Sequence, residues 1–192
     1  DHGLYVVVRP PGVCPGGIKV DGYYQDYLLK VWDIVSSNTN IKKHSGQVSI
    51  ELANEPVNIY DADSLESARA PYDFFQPIVD KIRANGFDGI IWVPGTGWQS
   101  NYTCYKSNPI EGYNIGYAVH AYVGWYNNSD ENANGETFIQ EFGKAVPVVN
   151  TNPVIITEVD WSPEKEGEGH YDEHANWVPA NWGTWATGST SK

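Results

Sequence analysis

Two glutamates at the ends of separate apolar runs are the residues of this sequence best suited to chemistry. Glu55 follows the run 47–53, and Glu158 lies within the run 153–159. If both runs are strands of one parallel sheet, their carboxyl ends share an edge and the two carboxyl groups can face each other. Retaining hydrolysis of a glycosidic bond uses such a pair, an acid/base and a nucleophile, with carboxyl groups roughly 5–5.5 Å apart. From spacing alone, strand-end carboxylates that merely pair with basic side chains stay an open interpretation.

Two further polar residues end a third apolar run. His120 and Tyr122 close the run 115–122. In a (β/α) barrel, the carboxyl ends of the strands carry the active site. Polar groups at the ends of three runs therefore predict one shared site.

The arrangement of apolar residues predicts the elements that position this site. Short continuous apolar runs indicate buried strands, and apolar residues at spacings of three and four indicate helices. Alternation of the two predicts an α/β fold with a parallel sheet covered by helices. No glycine-rich phosphate loop follows any run, which argues against a nucleotide-binding doubly wound fold. The predicted strands are 4–8, 47–53, 89–93, 115–122 and 153–159, and the predicted helices are 24–35, 71–82 and 136–146.

The composition argues against some partners and leaves others open. With 24 acidic and 12 basic residues, the formal net charge is −12, which repels polyphosphates and argues against nucleic acid. No apolar run reaches the roughly 18 residues of a membrane span, so we expect no membrane partner. The 8 Trp, 13 Tyr and 5 Phe suit core packing as well as stacking on sugar rings. The composition is compatible with neutral ligands such as carbohydrates.

Three short motifs that contain the polar strand-end residues follow one another along the chain. They are Leu52-Ala53-Asn54-Glu55-Pro56, Val119-His120-Ala121-Tyr122 and Ile155-Ile156-Thr157-Glu158. The first carries the Asn-Glu-Pro signature of glycoside hydrolase family 5, the cellulase and mannanase family, and the others resemble its sixth and seventh strands. The resemblance implies a (β/α)8 TIM-barrel type of fold that is incomplete, with about five parallel strands, the third to the seventh. It also implies one catalytic domain over residues 1–192. Residues 181–192 are rich in Gly, Ser and Thr, which predicts a frayed tail.

The resemblance assigns a role to each polar residue at the strand ends. Glu55 is the acid/base and Glu158 the nucleophile, while Asn54 holds the sugar 2-hydroxyl. Tyr122 donates a hydrogen bond to Glu158, and His120 binds near the acid/base or near the sugar at the point of cleavage. The implied reaction is that of a retaining endo-β-1,4-glucanase, a secreted or cell-surface cellulase that acts on β-glucan without metal or cofactor. A β-mannanase and a catalytically impaired carbohydrate-binding fragment are the alternatives.

Four tryptophans at or just after predicted strand ends are candidate sugar platforms. They are Trp92, Trp98, Trp125 and Trp161, of which Trp98 and Trp161 are favoured. Five strands stand where eight close a barrel, and an open parallel sheet exposes two edges. We therefore expect either a piece of a longer enzyme or self-association that covers the open edges.

Two further groups of residues leave alternatives open. Cys14 and Cys104 both follow predicted strand ends on one face, so that a bridge between them is an open question. An acidic and histidine-rich segment allows either a metal site or, as the favoured interpretation, a solvated loop beside the cleft. Its members are Glu168, His170, Asp172 and His174.

Overall fold

The five predicted apolar runs form one sheet, and the fold is of the predicted α/β type with parallel strands. A computed structural model describes residues 3–11, 14–122, 125–127, 135–159, 169–171 and 174–179 of the chain. The strands are β1 (Val6–Val8), β2 (Ile18–Lys19), β3 (Val48–Glu51), β4 (Ile59–Tyr60), β5 (Ile91–Pro94), β6 (Ile115–Ala121), β7 (Val154–Val159), β8 (Gly169–Tyr171) and β9 (Trp177–Pro179). The α-helices are α1 (Tyr23–Ser37), α2 (Thr39–Lys43), α3 (Ala70–Ala84) and α4 (Gly135–Ala145).

The main sheet has the strand order β1-β3-β5-β6-β7. Strand β3 pairs in parallel with β1 and with β5, and β5 pairs in parallel with β6. Parallel neighbours need long crossover connections, which here contain α1 between β1 and β3 and α3 between β3 and β5. The order runs in one direction without the reversal of a doubly wound sheet, as it does in a (β/α) barrel.

The chain divides into two compact units, and each is described by itself. The first unit comprises Asp1–Val119 and Val146–Ile155, and the second comprises His120–Ala145 and Ile156–Lys192. Of the three divisions, one falls within β6, one within β7 and one directly after α4. The predicted site residues are therefore shared between the units along the chain.

The core of the first unit combines the sheet with the buried faces of α1 and α3. On α1, Leu28 and Trp32 stand four residues apart and are buried. The indole N–H of Trp32 donates to the carbonyl of Leu52 at 2.9 Å, which holds α1 against the stretch that leads from β3 to Glu55. On α3 the buried apolar face consists of Ala70, Pro71, Phe74, Phe75, Ile78, Val79 and Ile82.

In the second unit, two phenylalanine rings of α4 pack on a tyrosine in the turn that follows β6. Tyr126 makes edge-to-face contacts with Phe138 and Phe142, with ring centroids 5.7 and 5.1 Å apart. Burial raises the pKa of the Tyr126 phenol, so its hydroxyl keeps its proton. This hydroxyl donates to the carbonyl of His120 at 3.2 Å. The ring cluster thereby supports the end of β6.

The predicted bounds of the five main strands and of α1, α3 and α4 agree with the structure to within two residues. Three features were not predicted: the short helix α2, the parallel pair of β2 with β4, and the antiparallel pair of β8 with β9. The predicted tail at 181–192 lies outside the described residues. In the part of the chain that is described, no helix has both the length and the apolar character that crossing a bilayer requires.

The first strand of the sheet order and the two residues before it carry exposed apolar side chains. Leu4, Tyr5, Val6 and Val7 are exposed by 69%, 81%, 45% and 38%. An exposed apolar edge is a template for further strand pairing. Association of two copies through such an edge stays a prediction.

Candidate active site

The segment that follows β3 places Asn54 and Glu55 in different surroundings. Asn54 is buried, whereas Glu55 is half-buried and has a left-handed backbone with φ of +48°. For a residue with a side chain this conformation costs roughly 1–2 kcal/mol, and it persists only where surrounding contacts enforce it. The turn thus sets a half-buried carboxyl group directly after a buried amide.

A thiol lies against the Glu55 carboxyl group. Cys14 is exposed, and its Sγ donates a hydrogen bond to Glu55 Oε2 at 2.8 Å. The open question of a bridge is answered, because Cys14 and Cys104 are not joined by a disulfide. Burial raises the pKa of the Cys104 thiol to about 12, so this thiol stays protonated at neutral pH. The contact between Cys14 and Glu55 has no sequence signal, since the two residues are far apart along the chain.

The loop after β5 brings two residues to the segment that carries Glu55. The backbone N–H of Glu55 donates to Gln99 Oε1 at 2.7 Å, and Gln99 is fully buried. Trp98, a predicted sugar platform, is 48% exposed, and its N–H donates to the carbonyl of Pro56 at 3.2 Å. Sequence reasoning missed Gln99, because a polar side chain in a Gly-containing loop is ordinarily expected to face solvent.

In the second unit, Glu158 is held by both polar residues at the end of β6. Tyr122 Oη donates to Glu158 Oε2 at 2.5 Å, and His120 Nδ1 lies 3.4 Å from the same oxygen. His120 is fully buried, whereas the Glu158 side chain is 23% exposed. The hydrogen bond from Tyr122 restricts the direction of the Glu158 carboxylate. The arrangement presents an oriented, partly accessible carboxyl group.

The candidate platforms have different outcomes. Trp92 is buried, so its interpretation as a sugar platform is wrong: its ring covers Gly116, where an added Cβ would collide with the ring. Trp125 is half-buried and packs edge-to-face on Tyr122, with ring centroids 5.1 Å apart. Trp161 lies outside the described residues.

The histidine-rich segment falls largely outside the described residues. Glu168 and Asp172 are among the residues that are not described, His170 lies in β8, and His174 is exposed. A solvated loop therefore stays the predicted structure of this segment, with a metal site as the alternative.

Solved structures of known proteins share this fold. The beta-glucanase of Saccharophagus degradans superposes with a TM-score of 0.66 at 21% identity, over 86% of this chain and 50% of that chain. The same enzyme in complex with cellotetraose matches with a TM-score of 0.60 at 25% identity, over 74% and 42%. The architecture is thus of the (β/α)8 barrel type. This chain spans about half the length of those two neighbours.

The family follows from the sequence as a whole. The family model described as Cellulase (glycosyl hydrolase family 5) matches residues 2–188. This chain belongs to glycoside hydrolase family 5. An endoglucanase of Halalkalibacter akibai is 28% identical to it over 97% of this chain and 25% of the relative. The chain therefore spans about a quarter of the length of this curated relative.

Proposed function

We propose that the chain is the catalytic domain, over residues 1–192, of a retaining endo-β-1,4-glucanase with Glu55 as acid/base and Glu158 as nucleophile. Membership of the family and the endoglucanase relative support the reaction class. The observation that carries the residue assignment is the position of Glu55 just after β3 and of Glu158 within β7 of the same sheet. Parallel strands bring their carboxyl ends to one edge, where two such carboxyl groups can act on one bond.

In the first half of the proposed reaction, a Glu158 oxygen forms a bond to the anomeric carbon as the glycosidic bond breaks. Glu55 transfers its proton to the departing oxygen, which leaves as a sugar hydroxyl. Tyr122 donates a hydrogen bond to Oε2 of Glu158, which orients the carboxylate that attacks. The product of this half is a covalent glycosyl-enzyme.

In the second half, water attacks the same carbon from the side that the leaving group vacated. Glu55 now accepts a proton from that water, and the bond from the sugar to Glu158 breaks. Two inversions at one carbon retain its configuration. Glu55 returns to the protonated form and Glu158 to the carboxylate, so the catalytic groups are regenerated.

The substrate proposal is a β-1,4-glucan. The cellotetraose complex of the Saccharophagus degradans enzyme supports a cello-oligosaccharide ligand. We assign Asn54 to the 2-hydroxyl of the sugar at the cleavage point, where a contact strengthens in the transition state. His120 is assigned to the same sugar or to support of the acid/base. Because a polymer does not cross a membrane, we place the enzyme outside the cell or on its surface.

The function is tested by incubating the purified chain with cellohexaose, mixed-linkage β-glucan and mannohexaose. We expect reducing ends to be released fastest from the glucans, and NMR to detect the β-anomer first. Faster release from mannohexaose would instead identify a β-mannanase. Binding in calorimetry without any released sugar would favour a carbohydrate-binding fragment, and initial release of the α-anomer would contradict retention.

Replacing Trp98 by alanine is expected to raise KM for cello-oligosaccharides about tenfold with a smaller change in kcat. Stacking between rings contributes roughly 0.5–1.5 kcal/mol beyond area burial, and the Trp98 ring is exposed on the segment tied to Pro56. Steady-state kinetics on cellopentaose measure the effect. Trp98→Phe keeps a ring and should retain most of the affinity, and an unchanged KM in Trp98→Ala would remove Trp98 from the binding site.

Alkylation of Cys14 is expected to lower hydrolysis by about tenfold or more, since general acid catalysis contributes roughly 10²–10⁴-fold and the adduct lies against the Glu55 carboxyl. At neutral pH iodoacetamide should modify Cys14 and spare Cys104, whose thiol has a pKa of about 12. Intact-mass spectrometry and residual rates measure both effects. Cys14→Ser treated in parallel should lose no further rate. Full activity with Cys14 quantitatively alkylated would refute the placement.

A further inference from the structure

We propose that Gln99 is a positioning residue for the acid/base, because its buried amide holds the backbone of Glu55 in the conformation that aims the carboxyl group. The inference rests on the proposed function for its catalytic meaning. Its structural part, the hold of Gln99 on Glu55, stands on contacts within the first unit.

The Gln99 amide makes three hydrogen bonds, which use both of its N–H groups and its oxygen. Its Oε1 accepts from the N–H of Glu55 at 2.7 Å. Its Nε2 donates to Glu51 Oε1 at 3.0 Å and to the carbonyl of Ala118 at 3.0 Å. Since Gln99 is fully buried and Glu51 is 1% exposed, water does not substitute for these partners. A neutral group with one acceptor and two donors at this reach is an amide, which explains a glutamine here.

An unusual turn delivers this amide to its place. Gly97, Trp98 and Gln99 have φ values of +57°, +57° and +60°, which is a left-handed turn with two side-chain-bearing residues. The N–H groups of Gly97 and Trp98 donate to the carbonyls of Val57 and Pro56 at 2.9 and 3.2 Å. The turn is thus attached to the two residues that follow Glu55, and it sends Gln99 inward while Trp98 faces solvent. Strained residues of this kind concentrate where structure is held for function.

The hydrogen bond that Gln99 accepts comes from Glu55, whose backbone conformation is strained. Glu55 itself has φ of +48°, so its backbone conformation depends on contacts that hold it. The Gln99 amide ties the Glu55 N–H to Glu51 at the end of β3 and to Ala118 in the middle of β6, so that one side chain joins both strands to the segment of Glu55. Without the amide, the Glu55 carboxyl group keeps its chemistry but loses a fixed direction.

The test replaces Gln99 by leucine, which has a similar volume and no hydrogen-bonding groups. Gln25 offers a matched control: its Oε1 accepts from the N–H of Asp21 at 2.6 Å, and its Nε2 donates to the carbonyls of Asp73 and Phe74 at 3.1 and 2.7 Å. Both glutamines are buried, accept one backbone N–H and donate twice, but Gln25 joins α1 to α3 and donates only to backbone carbonyls. Gln25→Leu therefore reports the cost of losing a buried amide without a positioning role.

We expect kcat on cellopentaose to fall about 100-fold in Gln99→Leu with KM changed less than about threefold, since small displacements of a reacting group have effects of this size. Gln25→Leu should keep kcat within about twofold of the parent. Amide hydrogen exchange at Glu55 should accelerate in Gln99→Leu and not in Gln25→Leu. Equal kcat in the two variants, or unchanged Glu55 exchange, would overturn the inference. The exchange result stands even if the parent chain hydrolyses no glucan, which would refute the proposed function alone.

A second pair of variants covers the case in which Gln99→Leu does not fold. Gln99→Glu keeps the acceptor for the Glu55 N–H but sets a second carboxyl group against Glu51. The double variant Glu51→Gln with Gln99→Glu restores that bond with donor and acceptor exchanged. We expect the double variant to recover at least about tenfold of the kcat that Gln99→Glu loses, as contacting residues of one network couple strongly. Strictly additive losses in the two substitutions would contradict the assignment.

Discussion

Replacing Glu158 by glutamine is expected to lower the rate of glucan hydrolysis by more than about 10⁴-fold while the fold survives. Glutamine has the same size, and its carbonyl oxygen can still accept the hydrogen bond that Tyr122 donates at 2.5 Å to Glu158. The amide is a very poor nucleophile, so the covalent intermediate does not form. Initial rates on cellopentaose measure the loss, and circular dichroism with thermal unfolding checks the fold.

A matched control lies in the same unit. Glu141 on α4 pairs with Lys144 at 2.6 Å near the surface, and an exposed pair of this kind contributes at most about 1 kcal/mol. Glu141→Gln is expected to keep the parent rate within about twofold. If Glu158→Gln hydrolysed cellopentaose at even a tenth of the parent rate, Glu158 would not be the nucleophile.

Replacing Glu55 by alanine is expected to have an effect that depends on the leaving group. Hydrolysis of cellopentaose, whose sugar leaving group needs a proton, should fall by about 10²–10⁴-fold. With 2,4-dinitrophenyl cellobioside, bond cleavage needs no proton, and the glycosyl-enzyme should form at close to the parent rate. It should then accumulate, because no base activates water for the second half. When the absorbance of released dinitrophenol is followed over time, we expect a burst and then slow turnover.

A small anion provides the internal check on this variant. Azide can enter the space left by the Glu55 side chain and attack the intermediate without a general base, so added azide should raise turnover and yield a β-glycosyl azide. Glu111 is an exposed glutamate of the first unit, and Glu111→Gln should show neither burst nor azide effect. Equal losses on both substrates in Glu55→Ala would rule out an acid/base role for Glu55.

The sheet and its main helices could be predicted because their sequence patterns are strong and local. The run 115–122 is largely apolar up to His120, and every residue of β6 is buried, as expected for a strand with both faces covered. Helix α3 has apolar residues at spacings of three and four, which fixes both its length and its buried face. The family resemblance then supplied the order of the strands.

The features that were missed depend on long-range contacts or on single backbone angles. Strands β2 and β4 have two residues each and are held by pairing with each other, which leaves no periodicity to detect. The place of Trp92 near a strand end makes it a candidate sugar platform, but the pleat of the strand decides on which side its ring lies, and the ring is buried. The inward direction of Gln99 results from three successive left-handed residues, a conformation that only Gly97 hints at in the sequence.

Within the candidate site, residue types were easier to predict than their partners. The strand-end positions of Asn54, Glu55 and His120 follow from local motifs. Cys14 and Glu55 are 41 residues apart along the chain, and nothing in their spacing predicts that they are in contact. Such contacts are set by how the loops cross the end of the sheet, which requires coordinates.

The pairing of Glu55 and Glu158 on one glycosidic bond is tested most directly by trapping the covalent intermediate. A 2-deoxy-2-fluoro cellobioside with a 2,4-dinitrophenyl leaving group slows both halves of the reaction, and the good leaving group lets the sugar ester accumulate. Peptide mapping by mass spectrometry then locates the sugar. A nucleophilic role of Glu158 predicts one fluorosugar per chain, attached to Glu158, with slower labelling when cellopentaose competes. Attachment to any other residue, or turnover of glucan by a chain that never forms the ester, would contradict it.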